Sequence, residues 1–450
     1  MKWYNNKMNT VTSYVIKGNK QLSGAVHLSG SKNIALKVIV ASLLFEGDVF
    51  LNNIPKIDDV LNLIVLINDL GAYAQFVTPN TLKINSAGLY KNEVSMLHSS
   101  KIRASFLLFA PLLHRFGGAN IPNPGGCRIG ARPIDRILDG LSALGVNAFY
   151  DPETGLNKVS ITELKDSNYK FEKPSVTGTE LLIMFACFGE SRETIIENSV
   201  LEPEVDELID FLNQGGAKIK RDGNDIKIQS VTKLVQNSEF KIASDRIEFM
   251  TFAALSVVTK SDLIINGVDF NAFSPFVKDL VQVGIQVKKL TQNSCQIIGP
   301  DHLLPSKMIT GTYPNFSTDA MPLWAIMMTQ AQGSSTICET MFEGRFSFIS
   351  ELTKMGAKIE FIENPTSIEE KFQFNIEKNK KYEQTIQING PITLHNGVVS
   401  AHDLRAGASL VVASLAASGE SIILDAQNIE RGYENFIDKL VSIGADIKRS

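Results

Sequence analysis

His402-Asp403-Leu404-Arg405 runs straight into Ala406 to Ala417, a stretch that is apolar or small on every face. A helix with no polar face belongs in a domain interior, and this one opens on a phrase that carries a cation. Five stretches of the same kind precede it: Ile34 to Phe45, Ala104 to Phe116, Leu181 to Gly189, Phe249 to Val258 and Met321 to Gln332. Each starts at a polar phrase, namely Gly30-Ser31-Lys32-Asn33, Ser99-Ser100-Lys101-Ile102-Arg103, Thr177-Gly178-Thr179-Glu180, Ser244-Asp245-Arg246 and Ser317-Thr318-Asp319.

A second phrase alternates with the first: Leu70-Gly71-Ala72, Leu144-Gly145-Val146, Gly215-Gly216-Ala217, Val283-Gly284-Ile285, Met355-Gly356-Ala357 and Ile443-Gly444-Ala445. Amphipathic residues such as Val60 to Leu70 lie before each glycine, and an alternating run such as Ala357 to Phe361 lies after it. That order predicts helix, glycine C-cap, strand. The unit occurs six times at roughly 70-residue intervals, the last longer, which leaves room for an extra hairpin within Asn364 to Glu383. A chain of 450 residues exceeds one ordinary core, so two domains are expected.

Bulk composition narrows the function classes. Apolar residues at 44% and charged residues at 20% fit a soluble globular protein and argue against disorder. A net charge of -4 gives no global attraction to nucleic acid, so any anion site must be local. Met1 to Asn9 lacks the apolar centre of a signal peptide, and no apolar run reaches the length of about 18 residues that a membrane span needs. A cytoplasmic protein without membrane attachment is expected. Cys127, Cys187, Cys295 and Cys338 show no CxxC pair and no zinc-ligand spacing, so neither a disulfide framework nor a metal is expected.

Ser, Thr, Asp and Asn at the helix starts are ordinary N-caps. Lys32, Arg103, Arg246 and Arg405 are not, because a cation there opposes the helix macrodipole. Buried helices whose starts face one space would present free N–H groups and these cations together, which is an anion trap. The plainer alternative is that each cation pairs with a nearby acid such as Asp245 or Asp403. Gly24 with Gly30-Ser31-Lys32 does not make a nucleotide phosphate loop, since the lysine does not directly follow the glycine. Cys127 sits in a Pro-Gly-Gly turn beside Arg128 and Arg132, a setting that lowers a thiol's pKa, whereas Cys187 and Cys338 lie in apolar stretches suited to inert core thiols.

Six segments give these signals a family context: Gly30-Ser31-Lys32-Asn33, Pro124-Gly125-Gly126-Cys127-Arg128-Ile129-Gly130-Ala131-Arg132-Pro133, Glu202-Pro203-Glu204-Val205, Phe316-Ser317-Thr318-Asp319, Asp403-Leu404-Arg405-Ala406 and Arg431-Gly432-Tyr433-Glu434. In order, and over nearly the whole chain, they resemble the motifs of the UDP-N-acetylglucosamine 1-carboxyvinyltransferases. The resemblance implies a two-domain inside-out α/β barrel of six repeats, three per domain. One domain would be 33–243 and the other would join 1–32 to 244–450, with the active site in the cleft between them.

It also implies roles. Lys32 and Asn33 match the pair that binds phosphoenolpyruvate, and a lysine is a mobile point charge suited to phosphate. Cys127 matches the proton donor to the enol methylene. Asp319 matches the acid beside the sugar's 3-hydroxyl. Arg132, Arg405 and Arg431 match arginines around the phosphate and carboxylate, where a planar bidentate donor fits. Arg103, the run Arg132-Pro133-Ile134-Asp135-Arg136, the run Lys173-Pro174-Ser175-Val176 and Met341 match positions that hold the UDP-sugar.

The implied reaction adds a hydroxyl of UDP-N-acetylglucosamine to phosphoenolpyruvate and then expels phosphate, with no cofactor, as the committed step of peptidoglycan synthesis. Thr177-Gly178, Leu201, Phe249-Met250 and Ile137 depart from the commonest family pattern, all away from the phosphoenolpyruvate residues. The rivals are a same-fold transferase acting on another acceptor, such as a shikimate phosphate or a nucleotide in a specialised pathway, and a non-catalytic UDP-sugar sensor. The shikimate branch lacks the Cys127 loop, and a sensor would be expected to lose Lys32, Cys127 or Asp319.

Overall fold

A computed structural model describes residues 12–125, 129–130 and 134–450. Its described strands form six separate sheets, five of four strands and one of three, around buried helices. The first unit shows the plan. Strand Asp48–Asn52 leads into the amphipathic helix Asp58–Asp69, and strands Tyr73–Phe76 and Leu82–Asn85 return as an antiparallel hairpin with Tyr73 opposite Asn85. The sixth unit takes its central strand, Tyr14–Lys17, from the N-terminal end of the chain. That strand lies between Glu420–Leu424 and Asp446–Arg449.

The repeated glycine has one conformational task. Gly71, Gly145, Gly216, Gly284, Gly356 and Gly444 all hold φ between 87° and 103°, left-handed backbone that ends the helix and turns the chain into the next strand. At five of the six, the following N–H reaches back over this turn, as Ala72 does to the carbonyl of Ile67 at 3.1 Å.

The six interior helices are α1 (Lys32–Ala41), α2 (Phe109–Phe116), α3 (Val176–Ala186), α4 (Arg246–Val258), α5 (Met321–Met328) and α6 (Leu404–Ala416). Two expected boundaries shift. Residues 104–116 are not one helix, because Arg103–Leu108 is a 3-10 turn ahead of α2, and Pro111 has no N–H to continue an α-ladder back to Leu107. The third helix starts at Val176 rather than Leu181, since the Ser175 hydroxyl caps it by accepting from the Gly178 amide at 3.2 Å.

The expected extra hairpin is absent. Residues 364–382 contain a 3-10 turn, Ile368–Lys371, and no strand; they lengthen the connection between the paired strands Ile359–Phe361 and Thr385–Gly390. Phe372, Phe374 and Tyr382 turn toward one another with Ile368 and Cys338 in a small core of their own instead of alternating across a pleat.

Two large cores result. One gathers Ile34 to Ile242 around α1, α2 and α3; the other gathers Tyr14 to Leu28 and Ile247 to Ile447 around α4, α5 and α6. The chain crosses between them twice, side by side: the Ser31 amide donates to the Ala243 carbonyl at 2.8 Å, and the Asp245 amide to the Ser29 carbonyl at 2.8 Å. Gly30 is required at this crossing, because a Cβ there would lie 1.7 Å from the Asn53 carbonyl oxygen. The crossing places the starts of α1 and α4 together, and the Lys32 amide donates to the Asp245 carboxylate at 3.0 Å. Among the described residues no helix is long and apolar enough to cross a membrane.

Candidate active site

The starts of α1, the 3-10 turn Arg103–Leu108 and α3 border one cavity of about 140 Å³. Lys32 and Asn33 line it from α1, Arg103 from the turn, Thr177 and Glu180 from α3, and Arg431 enters from the second core. Asp59, buried at the start of the helix Asp58–Asp69, joins the two cores here. One of its oxygens takes Lys32 Nζ at 2.7 Å and the other takes Arg431 Nε at 3.0 Å. Burial pushes the Asp59 carboxyl up, and Lys32 and Arg431 outweigh it, so it stays below its ordinary value and charged.

A second cluster lies at the starts of α5 and α6. Asp319 accepts from Arg345 at 2.7 Å and faces Arg405 Nε at 3.4 Å, while Arg345 also approaches Asp403 at 3.6 Å. Burial raises the Asp319 carboxyl, but Arg405, Arg345, Lys32 and Arg246 together hold it well below the carboxylate range. The Lys32 charge acts on both Asp59 and Asp319. Asp319 is not a helix cap, because α5 begins after Ala320 with no side-chain cap. Arg405 also lies over the Tyr433 ring at 5.4 Å, a cation-π contact that helps fix it.

Three of the four misplaced cations, Lys32, Arg246 and Arg405, pair with acids, though not with the expected neighbours. Asp245 and Asp403 instead cap α4 and α6 by accepting backbone N–H groups at 2.7 to 3.1 Å. The cations reach acids from elsewhere in the fold: Arg246 meets Glu204 at 2.8 Å, Arg405 meets Asp319 and Lys32 meets Asp59.

The residues matched to the UDP-sugar are spread over the site: Arg103 lines the first cavity, Ser175 and Val176 open α3 beside it, and others lie toward the 364–382 connection. Ile134 and Asp135 open the helix Asp135–Ala143, from which Arg136 donates to the Gln373 carbonyl at 2.6 Å. Lys173 donates to the Phe374 carbonyl at 3.1 Å. Pro174 lies between Lys173 and Ser175, which caps α3 at Val176. The Met341 amide donates to Glu339 at 2.6 Å. Cys127, Arg132 and Pro133 lie outside the described residues. Cys187, Cys295 and Cys338 are buried, and burial pushes the Cys187 thiol up to about 12 and Cys295 to about 11, so these are packing groups. Among the described residues no group of three His, Cys, Asp or Glu side chains gathers as metal ligands.

A family model described as EPSP synthase (3-phosphoshikimate 1-carboxyvinyltransferase) matches residues 16–440. A UDP-N-acetylglucosamine 1-carboxyvinyltransferase of Legionella pneumophila is 37% identical over 98% of this chain and 83% of its own length. One from Campylobacter hominis is 36% identical over 97% of this chain and 98% of its own. The chain belongs to the enolpyruvyl transferase family. The fold agrees: the enolpyruvyl transferase NikO of Streptomyces tendae superposes with a TM-score of 0.84 at 21% identity, covering 98% of this chain and 99% of that one. EPSP synthase of Acinetobacter baumannii gives 0.71 at 18%, covering 98% and 100%.

Sequence reasoning missed three groups of this enolpyruvyl transferase. Asp59 follows Asp58 at a helix start, where acids are unremarkable. Arg345 sits in a 3-10 turn far from any quoted motif, yet it is almost fully buried between Asp319 and Asp403. Glu180, 3.3 Å from Lys37, is buried on the cavity wall with neither oxygen hydrogen-bonded. Burial raises it to about 7, Lys37 opposing and Glu204 and Glu202 adding to the rise. Only Glu180 had left a trace, as the end of a helix-start phrase. Two of the departures are core substitutions. Ile137 is buried, and Phe249 packs on the Phe273 ring at 5.1 Å.

Proposed function

We propose that this chain transfers the enolpyruvyl group of phosphoenolpyruvate to the 3-hydroxyl of UDP-N-acetylglucosamine, releasing phosphate, in the cytoplasmic committed step of peptidoglycan synthesis. The observation that carries the reading is the meeting of Lys32, Asn33, Arg103 and Arg431 at one cavity, with the Asp319 and Arg405 cluster beside it. The near full-length likeness to transferases named for that acceptor supports it. We take 33–243 and 1–32 with 244–450 as the two domains, and the cleft between them as the site.

In the addition step the sugar oxygen bonds to C2 of phosphoenolpyruvate, its proton passing to Asp319, while Cys127 gives a proton to C3. In the elimination step C3 loses a proton, the bond from C2 to the phosphate oxygen breaks, and the double bond reforms. Lys32, Arg405 and Arg431, with Arg132, stabilise the charge on the phosphate and carboxylate. At rest, Arg405 and Arg345 keep Asp319 a weak base. An incoming phosphoenolpyruvate that draws Arg405, its looser partner at 3.4 Å, toward the substrate restores basicity when the hydroxyl is to be deprotonated.

The test is phosphate release from phosphoenolpyruvate with UDP-N-acetylglucosamine, its galactosamine epimer and shikimate 3-phosphate in turn. Release is expected with the first. Equal or faster release with shikimate 3-phosphate would overturn the acceptor assignment.

A further inference from the structure

The hairpins of the first four units turn briefly, between Phe76 and Leu82, Asp151 and Leu156, Asp222 and Asp225, and Thr291 and Ser294; the fifth runs from Phe361 to Thr385. This long connection is a built element. Asn364 ties its two ends, donating to the Tyr382 carbonyl at 2.6 Å and accepting from the Gln384 amide at 3.1 Å and the Thr385 hydroxyl at 2.9 Å. Inside, the Phe372 and Phe374 rings stack at 4.7 Å, and the Glu377 amide donates to the Tyr382 hydroxyl at 3.0 Å.

Among the described residues its tip reaches the other core at Arg136 and Lys173. The Gln373 carbonyl accepts from Arg136 at 2.6 Å, the Phe374 carbonyl accepts from Lys173 at 3.1 Å, and the Asn375 side-chain oxygen lies 3.4 Å from Arg136. On its own side the Gln373 amide donates to the carbonyl of Thr340, the neighbour of Met341. Three consecutive residues thus touch Arg136, Lys173 and the segment beside Met341. A carbonyl fixes a cation without cancelling its charge, unlike the carboxylates that hold Lys32 and Arg405. Cations held in this way remain strong partners for an anion, with their side-chain ordering already done before it arrives.

We propose that residues 364–382 form a strap whose tip carbonyls, at Gln373 and Phe374, hold Arg136 and Lys173 in position to receive the diphosphate of a nucleotide-linked acceptor. The inference rests on the acceptor class proposed above. Gln373 and Phe374 are positioning residues that act through the two cations.

The experiment compares the unaltered chain with two variants: one in which 366–381 is replaced by a short Gly-Ser turn, and the full-length pair Phe372→Ala with Phe374→Ala, which loosens the strap should the first fail to fold. KM for UDP-N-acetylglucosamine, KM for phosphoenolpyruvate, kcat and the Kd of UDP alone are measured for each. Acceptor KM and UDP Kd are expected to rise about 10-fold in the shortened variant and less in the double variant, with phosphoenolpyruvate KM and kcat within about 2-fold. Arg136→Ala should weaken UDP binding in the full chain and add little in the shortened one. Unchanged or tighter UDP binding, equal weakening of both substrates, or full additivity with Arg136→Ala would overturn the strap's role. If the unaltered chain binds UDP but does not turn over UDP-N-acetylglucosamine, the acceptor assignment fails, while the UDP titrations still decide the strap. If it does not bind UDP, both fail.

Discussion

The two ends of the proposed cleft hold their cations by different means. At the end we assign to phosphoenolpyruvate, Lys32 and Arg431 share the buried Asp59, and Arg405 and Arg345 share Asp319. At the end we assign to the nucleotide-sugar, Arg136 and Lys173 donate to neutral carbonyls, and the Glu172 carboxylate acts on both without a bond to either. A carboxylate keeps a buried cation stable while no substrate is present, but an incoming anion must compete with it. A carbonyl leaves the full charge on offer, which suits the more exposed end, where water shares the cost of keeping it. On that assignment the first end would be switched by its substrate and the second would stay ready.

Breaking the first end should give the largest effects. Arg345→Met leaves Asp319 and Asp403 without their buried shared partner, and a loss of about 3–5 kcal/mol in unfolding free energy is expected from denaturant titration. A loss below about 1 kcal/mol would mean that water or Arg405 already serves these carboxylates. Asp319→Asn should lower kcat about 100-fold, and should lower the melting temperature too, since Arg345 keeps its charge with a weakened partner. Full turnover in this variant would show that the proton goes elsewhere.

Asp59→Asn sharpens the contrast. Taking away the competing charge should lower the KM for phosphoenolpyruvate several-fold without raising kcat, since the carboxylate that Lys32 and Arg431 share no longer competes with the substrate. A higher KM would mean that Asp59 positions the cations more than it competes for them.

The smallest effect concerns pH. Glu180, with an ordinary value of 4.5 and a folded value near 7, contributes stability that is fully present below about pH 4.5 and is lost as pH rises through about 7. Glu180→Gln mimics the protonated form. Its melting temperature relative to the unaltered chain should therefore become more positive between about pH 4.5 and pH 8. A flat difference would place Glu180 as an ionised partner of Lys37 throughout.

The outer architecture could be read from periodicity because helix, glycine and strand recur in local sequence, and each of the six glycines adopts the backbone that the phrase requires. The interior helices were legible for the same reason. Residue pattern alone marked only the helix starts that carry a cation their own dipole disfavours, and the remaining site expectations came from the family resemblance. The partners of those cations were hidden because they come from distant elements: Asp59 lies 372 positions from Arg431, and Glu204 reaches Arg246 from the other core. Asp245 and Asp403, the acids nearest in sequence, are occupied as caps. An extra hairpin was expected within Asn364 to Glu383 because spare length beside a strand leaves room for one, yet Phe372, Phe374 and Tyr382 form a small core that no alternation signals.

The most direct test of the account is to run the reaction with phosphoenolpyruvate and UDP-N-acetylglucosamine in deuterated water and to examine the product by NMR and mass spectrometry. Addition followed by elimination passes through a methyl group at C3 that carries one hydrogen from solvent. The expected product is the enolpyruvyl ether at the sugar's 3-oxygen, with deuterium in its methylene. An enolpyruvyl ether free of deuterium would contradict the addition step, and phosphate release without any sugar ether would contradict the transfer itself.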